Sequence, residues 1–408
     1  MKNKNLYLIL CFIFLLSACG SSAQGVSPVT IAPLTPSVTA TPLVPFATSV
    51  EPRTTPTNTP DPLSCWNPLL ISPDVENPTG FPVAIGEGLD NTIWVLYHNR
   101  VAQILKDGTV NLYKFQDFSD CGKCMDITNE TMAISSAGDA WIGTPTGLLV
   151  VKKNGEWEEI PATKILPSAK ESLGLKVLLS DKKGNIWVSN ANTLCSYNGS
   201  SWKCKVNDGV DEIISAVDGK DDQIWFGTTH GKIILFNGKE YDVSNLNDFF
   251  DTPISIKMIS SVAFDGGTGS LWAASSTISS CSDTKFNAAN FAVFRRNPDG
   301  SWQTFAKDLF MKESNDSSGC GGAPTSIAVA KDGKVWLGMM RQLGLAYYDG
   351  VNWKALDGKV LPYDLASSSS SNNSCVLPTD DWTTDVLVTR DGKLLVANRF
   401  GVFMYTGQ

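Results

Sequence analysis

His98 and His230 are the only imidazoles in 408 residues, so proton transfer or metal binding through histidine has two groups to draw on. They stand in the polar runs Tyr97-His98-Asn99-Arg100 and Thr229-His230. The carboxylate pairs Asp221-Asp222 and Asp380-Asp381 read as turn chemistry unless their side chains converge with another group. No spacing matches a calcium loop, a zinc motif, a phosphate-binding loop or a nucleophile elbow. The expectation is therefore no catalytic residue, no metal and no cofactor. Arginine offers a different chemistry, because its planar fork of donors matches carboxylates and other anionic groups. Arg100, Arg341 and Arg399 all stand in short polar segments.

The whole chain carries 41 acidic against 33 basic residues, a net charge of −8. That balance gives no general attraction to a phosphate backbone, so nucleic acid is not an expected partner. With 42% hydrophobic residues, the chain has the composition of a folded body.

Lys2 and Lys4 precede an apolar run from Leu6 to Leu16, too short to span a bilayer and suited to a secretory signal. Directly behind it, Leu16-Ser17-Ala18-Cys19 resembles the lipobox of bacterial lipoproteins. The resemblance implies a signal peptide over 1–18, a diacylglyceryl group on Cys19 and an acylated new N-terminus. The mature chain is then expected in the cell envelope, tethered to a membrane by acyl chains such as palmitate, with its head facing an extracytoplasmic space. From Gly20 to about Pro62 the sequence alternates Pro and Thr with small residues, as in Thr54-Thr55-Pro56-Thr57, and has neither helical nor strand period. Residues 19–62 are expected to form an extended stalk.

Beyond the stalk one unit recurs: a short apolar strand, a tight turn and a strand carrying Trp, then further short strands. Gly184-Asn185-Ile186-Trp187-Val188 and Gly333-Lys334-Val335-Trp336-Leu337-Gly338 are clear copies. Trp94, Trp141, Trp187, Trp225, Trp272 and Trp336 occupy the repeated position, and Leu395 holds the seventh. Their separations run from 38 residues (Trp187 to Trp225) to 64 (Trp272 to Trp336), centred near the length of a four-stranded propeller blade. Asn198-Gly199, Asp332-Gly333 and Asp391-Gly392 supply hairpin turns. The reading is all-β, a seven-bladed β-propeller over 63–408. The last repeat ends after three strands, and Ser64-Cys65-Trp66-Asn67-Pro68-Leu69 matches the missing fourth, so the start of the head is expected to close the ring.

In such a ring the loops between second and third strands gather on one face with the blade-to-blade connections. They hold His98 and Arg100 in blade one, His230 in blade four, Arg341 in blade six and Arg399 in blade seven. Blades six, seven and one become neighbours on closure, so the three arginines are expected to form a cationic patch, with Trp382 near the channel mouth. His98 and His230 fall nearly opposite each other. They remain candidates for ligand contact, and as channel-facing groups for catalysis, as in some propeller lyases and dehydrogenases.

Setting aside Cys11 in the signal and Cys19, eight cysteines remain in an oxidising compartment. With Asn198-Gly199 at the turn and Tyr197 opposite Trp202, Cys195 falls opposite Cys204, within bridging distance. Cys281 and Cys320 lie in loops expected on one face and make a plausible bridge. Cys121-Gly122-Lys123-Cys124 reads as a local disulfide, with a redox pair or half a metal site as alternatives. Cys65 and Cys375 pair by elimination, although strand direction places Cys65 toward the other face.

Ala140-Trp141-Ile142-Gly143-Thr144-Pro145-Thr146-Gly147-Leu148 nearly completes a Gly-x-Ile-Trp-x-Gly-Thr-x-x-Gly-Leu pattern and resembles the two-component-regulator propeller repeats. The resemblance covers the head from about Leu63 and implies a sensing or binding propeller. No kinase module or second apolar span follows here, so binding is expected rather than signalling by this chain alone. The expected partner is a glycan, a peptide or an envelope protein; a propeller enzyme such as a polysaccharide or small-molecule lyase is the alternative.

Overall fold

A computed structural model describes residues 65–71, 80–114, 131–166, 174–207, 211–249, 258–276, 292–305, 324–339, 344–356 and 383–406. All described strands belong to seven four-stranded antiparallel sheets. Blade one is β2 (Pro82–Glu87), β3 (Ile93–Tyr97), β4 (Arg100–Ile104) and β5 (Val110–Lys114). Blade two is β6 (Met132–Ile134), β7 (Ala140–Thr144), β8 (Gly147–Val151) and β9 (Trp157–Pro161), followed by the single helical turn α1 (Ala162–Ile165). Blade three is β10 (Lys176–Ser180), β11 (Ile186–Asn190), β12 (Thr193–Tyr197) and β13 (Trp202–Val206). Blade four is β14 (Ile213–Asp218), β15 (Ile224–Thr228), β16 (Lys232–Phe236) and β17 (Tyr241–Asn245). Blade five is β18 (Met258–Asp265), β19 (Ser270–Ser276), β20 (Ala292–Arg296) and β21 (Trp302–Phe305). Blade six is β22 (Pro324–Val329), β23 (Val335–Met339), β24 (Leu345–Tyr348) and β25 (Trp353–Ala355). Blade seven joins β26 (Thr383–Val388), β27 (Leu394–Asn398) and β28 (Gly401–Tyr405) to β1 (Trp66–Ile71) from the other end of the head.

The expected closure is present: β1 runs antiparallel to β28, with Trp66 opposite Tyr405 and Ile71 opposite Gly401. Trp66 is 3% exposed and packs its ring 5.1 Å from that of Tyr405, which lies 5.5 Å from Trp336 of blade six. The apolar clusters lie between blades rather than at one centre. Ile85, Val95 and Tyr97 of blade one pack with Leu395, Ala397 and Val402 of blade seven. The repeated Trp is core: Trp94, Trp141, Trp187, Trp225, Trp272 and Trp336 are all buried. The turn glycines Gly199, Gly333 and Gly392 have φ of 90°, 82° and 88°, the left-handed conformation that hairpin turns demand.

The Gly of the Trp-x-Gly pattern has a packing reason. A Cβ on Gly143 would stand 2.2 Å from the carbonyl oxygen of Leu175, one on Gly227 2.6 Å from Ile259 Cγ2, and one on Gly338 2.8 Å from Thr383 Cγ2. In each case the second strand presses on the entrance of the next blade, and a side chain would hold the blades apart.

A second device is not announced by the repeat. The inner strands of six blades shift register at their second or third residue, as at Thr325 between Pro324 and Ser326 and at Thr384 between Thr383 and Asp385. In three of them the bulged residue carries a hydroxyl that reaches the next blade. Ser260 Oγ donates to Pro324 O at 3.3 Å, Thr325 Oγ1 to Thr383 O at 2.8 Å and Thr384 Oγ1 to Pro82 O at 2.8 Å. The last of these bonds crosses the closing seam.

Cys195 and Cys204 are opposite in the β12–β13 register and joined by a disulfide, with Tyr197 opposite Trp202. Cys65 is also disulfide-bonded. Since Cys195 and Cys204 bond each other, its partner is a cysteine outside the described residues, where Cys19, Cys121, Cys124, Cys281, Cys320 and Cys375 all lie. The expected signal and stalk also lie outside them. Among the described residues, no helix is long and apolar enough to cross a membrane.

Candidate functional site

The hairpins between second and third strands carry the residues singled out for binding. In blade one β3 ends at Tyr97 and β4 begins at Arg100, paired opposite each other, so His98 and Asn99 form the tip. In blade seven Asn398 pairs with Gly401, leaving Arg399 and Phe400 at the tip. These hairpins neighbour one another across the closing seam, where β26 packs against β2. His230 tips the β15–β16 hairpin of blade four, on the far side of the ring. Arg341 and Trp382 lie outside the described residues.

Arg100 is half-buried. Its guanidinium carbon sits 4.6 Å from the centre of the Tyr97 ring, which holds the fork by cation–π attraction. Stacking leaves the edge of the guanidinium to find acceptors, and Nη2 is shielded from water with no hydrogen-bond partner. Two more polar atoms at the same end of blade seven share that condition: Nδ2 of Asn398 and Oγ1 of Thr383, on residues that are both fully buried and lie opposite each other in the β26–β27 register. The Asn398 Oδ1 atom accepts from Phe400 N at 2.9 Å, which orients the amide and leaves its NH2 end without an acceptor. Arg399 is exposed, with its guanidinium 4.8 Å from the Phe400 ring centre.

The histidines do not form a pair. His98 is half-buried in blade one, whereas His230 is exposed and rests its Nδ1 3.4 Å from Asp211 and 3.2 Å from Thr229 Oγ1. Among the described residues no three His, Cys, Asp or Glu side chains gather as metal ligands.

Asp385, an inner-strand residue, was not anticipated. Its Oδ1 accepts from Ser326 Oγ of blade six at 2.7 Å and from Val386 N at 2.9 Å, and its Oδ2 accepts from Ile85 N of blade one at 2.8 Å. One carboxyl thus ties the closing blade to both neighbours. Burial in the channel wall lifts it to about 6, against the lowering effect of those three donors. The sequence signal, a polar doublet at the head of an inner strand as in Thr325-Ser326 and Thr384-Asp385, is visible only once the bulge is known.

No family and no curated protein matches this sequence. Solved structures do, at the level of fold. A streptogramin B lyase superposes with a TM-score of 0.54 and 15% identity, covering 83% of this chain and 96% of its own. The extracellular domain of a putative hybrid two-component system from B. thetaiotaomicron gives 0.54 and 14%, covering 83% of this chain and 39% of that one. PorZ, a surface component of the type-IX secretion system of Porphyromonas gingivalis, gives 0.54 and 13%, covering 80% and 46%. The chain shares the seven-bladed propeller fold with enzymes, sensor ectodomains and surface components alike.

Proposed function

We propose that this chain is a lipid-anchored binding module of the cell envelope that engages a glycan, a peptide or an envelope protein through the hairpin face of blades seven and one, at an anionic or carbonyl oxygen. The observation that carries this reading is the group of buried polar atoms without partners at that end: Arg100 Nη2, Asn398 Nδ2 and Thr383 Oγ1. A donor withheld from water and unpaired costs about 1–3 kcal/mol, which a ligand oxygen would recover once the hairpin tips part to admit it. Arg399 on the adjoining tip adds cationic character to the same face. Cys19 supplies the tether, with residues 19–62 as the stalk and the propeller as the exposed head. The test is a binding screen of the full chain in detergent against acidic glycans, peptides and envelope extracts, with Arg100→Ala and Arg399→Ala beside it. Saturable binding weakened about tenfold by either substitution supports the reading, a factor equivalent to about 1.4 kcal/mol.

A second reading, a propeller enzyme such as a lyase on a polysaccharide or small molecule, is favoured by the likeness to a streptogramin B lyase over 96% of that chain. It requires an acid and a base within reach of one substrate, and His98 and His230 sit in blades one and four. Recovery of a chemically altered ligand from the same screen, abolished by His98→Ala or His230→Ala, would establish it.

A further inference from the structure

On the opposite face, where first strands turn into second and third into fourth, a cleft of about 380 Å3 opens between blades three and four. That volume is within the range of small-molecule sites. Its inner wall is apolar, formed by Trp187, Ile224 and Phe236, with the Trp187 and Phe236 rings 5.4 Å apart. The outer wall is the β12–β13 hairpin, contributing Ser196 and Lys203, and the Cys195–Cys204 disulfide bridges the pair of residues adjacent to them in the register. That staple holds the wall rigid, as a binding surface requires.

Most charges in the cleft are committed to the protein. Asp181 receives Lys183 N and Asn185 N on one oxygen, at 2.9 and 2.8 Å, and Asn185 Nδ2 and Trp187 Nε1 on the other, both at 2.8 Å. Lys182 donates to Gly219 O at 2.6 Å, latching blade three to blade four, and Lys183 pairs with Asp222 at 2.9 Å. The β16–β17 hairpin adds only Phe236 and Gly238. Two groups remain available. Lys203 is exposed and has no ion pair among the described residues, and the Asp218 carboxyl is half-buried beside Asp181, Lys182 and Asp222. An ammonium and a carboxyl across an aromatic floor match a ring that has an apolar face, hydroxyls and one acid group.

We propose that this cleft binds an acidic sugar, its carboxylate on Lys203, its hydroxyls on Asp218 and its ring against Phe236 and Trp187. The acid is recognised either free or as the terminal unit of a glycan. Asp218 gives the site a pH response. Burial, then the repulsion of Asp181, raises its carboxyl to about 6; Lys182 opposes the shift and Asp222 adds to it. The ligand's own carboxyl titrates near 3.5 and stays ionised. Below pH 6 Asp218 is protonated, loses its repulsion for the ligand, gains an O–H to donate and keeps an oxygen to accept from a hydroxyl, so affinity rises as pH falls. The site stands apart from the hairpin face of blades seven and one and does not depend on that reading.

Glucuronate, methyl glucoside and a glucuronate-terminated oligosaccharide titrated calorimetrically into the full chain at pH 5 and pH 8 test this. Glucuronate is expected to bind about tenfold more tightly at pH 5. Lys203→Ala should weaken it about tenfold and Asp218→Asn should remove the pH dependence while keeping the affinity of the acidic side. An oligosaccharide tighter than the monomer identifies a glycan end as the ligand; equal affinity identifies the free acid. Absence of glucuronate binding at pH 5, methyl glucoside binding equally well, or indifference to both substitutions would overturn the proposal.

Discussion

Arg100 is the residue at which stability and the proposed binding pull in opposite directions. Its Nη2 atom is buried without an acceptor, while its ring contact with Tyr97 returns about 0.5–1 kcal/mol. Arg100→Ala is therefore expected to leave unfolding free energy within about 1 kcal/mol of the parent in urea titrations, because the unpaired donor goes with the stack. A purely structural arginine would cost more. Carboxylates make a second prediction. Asp385 is held at about 6 in the fold against 3.8 ordinarily, so its contribution to stability is full below 3.8 and is lost as pH rises through 6. Asp218 behaves the same way. Asp90, drawn down to about 2 by Lys153, stabilises above 3.8 and loses that effect as pH falls through 2, and Asp349, held low by Asn352 N and Lys354, acts in the same sense. Thermal melts across pH should peak between about 4 and 6. In Asp385→Asn the loss between pH 5 and pH 8 should shrink, and an unchanged profile would show that this carboxyl does not set it.

The elements show why some features were legible and others were not. Trp and Gly at fixed spacing announce blades because the Trp fills the gap between sheets and the Gly admits the next blade's entrance strand. Gly143→Ala places a methyl against the Leu175 carbonyl and is expected to cost about 1–3 kcal/mol, read as a lowered denaturant midpoint. The Cys195–Cys204 pairing was readable because hairpin register follows from the turn at Asn198-Gly199. Replacing both cysteines by serine should cost about 2 kcal/mol and loosen the β12–β13 wall of the cleft. The inner-strand bulges were invisible for a physical reason: the inserted residue comes second or third in its strand, leaving too few residues ahead of it for the shifted alternation to register. Asp385 as a three-blade tie and the Asp218–Lys203 cleft likewise depend on which blades adjoin. The short turns at Ala162–Ile165 and Leu246–Phe249 carry too few residues for a helical period to register.

At the scale of the whole molecule, closure by the Trp66 segment was readable from arithmetic: six complete repeats, one of three strands, and a matching strand at the start. Trp66 lies between Tyr405 and the blade-six wall, so Trp66→Ala should cost about 3–5 kcal/mol and weaken the β1–β28 pairing that completes blade seven. The proposed binding face was less legible. The sequence pattern brings Arg100, Arg399 and Asn398 to neighbouring hairpins but says nothing of Thr383, and the unpaired atoms of Asn398 and Thr383 appear only in the folded ring. The proposed lipid anchor has its own check, since Cys19→Ser should move the chain from the membrane to the soluble fraction and remove the acyl mass. The most direct measurement of the central claim is the affinity of the full chain for acidic glycans and peptides with and without Arg100→Ala, recovering and weighing the ligand afterwards. An unchanged ligand bound about tenfold more weakly by Arg100→Ala, in a protein that still melts normally, is the predicted result. A ligand recovered in altered form, or binding indifferent to Arg100, would contradict it.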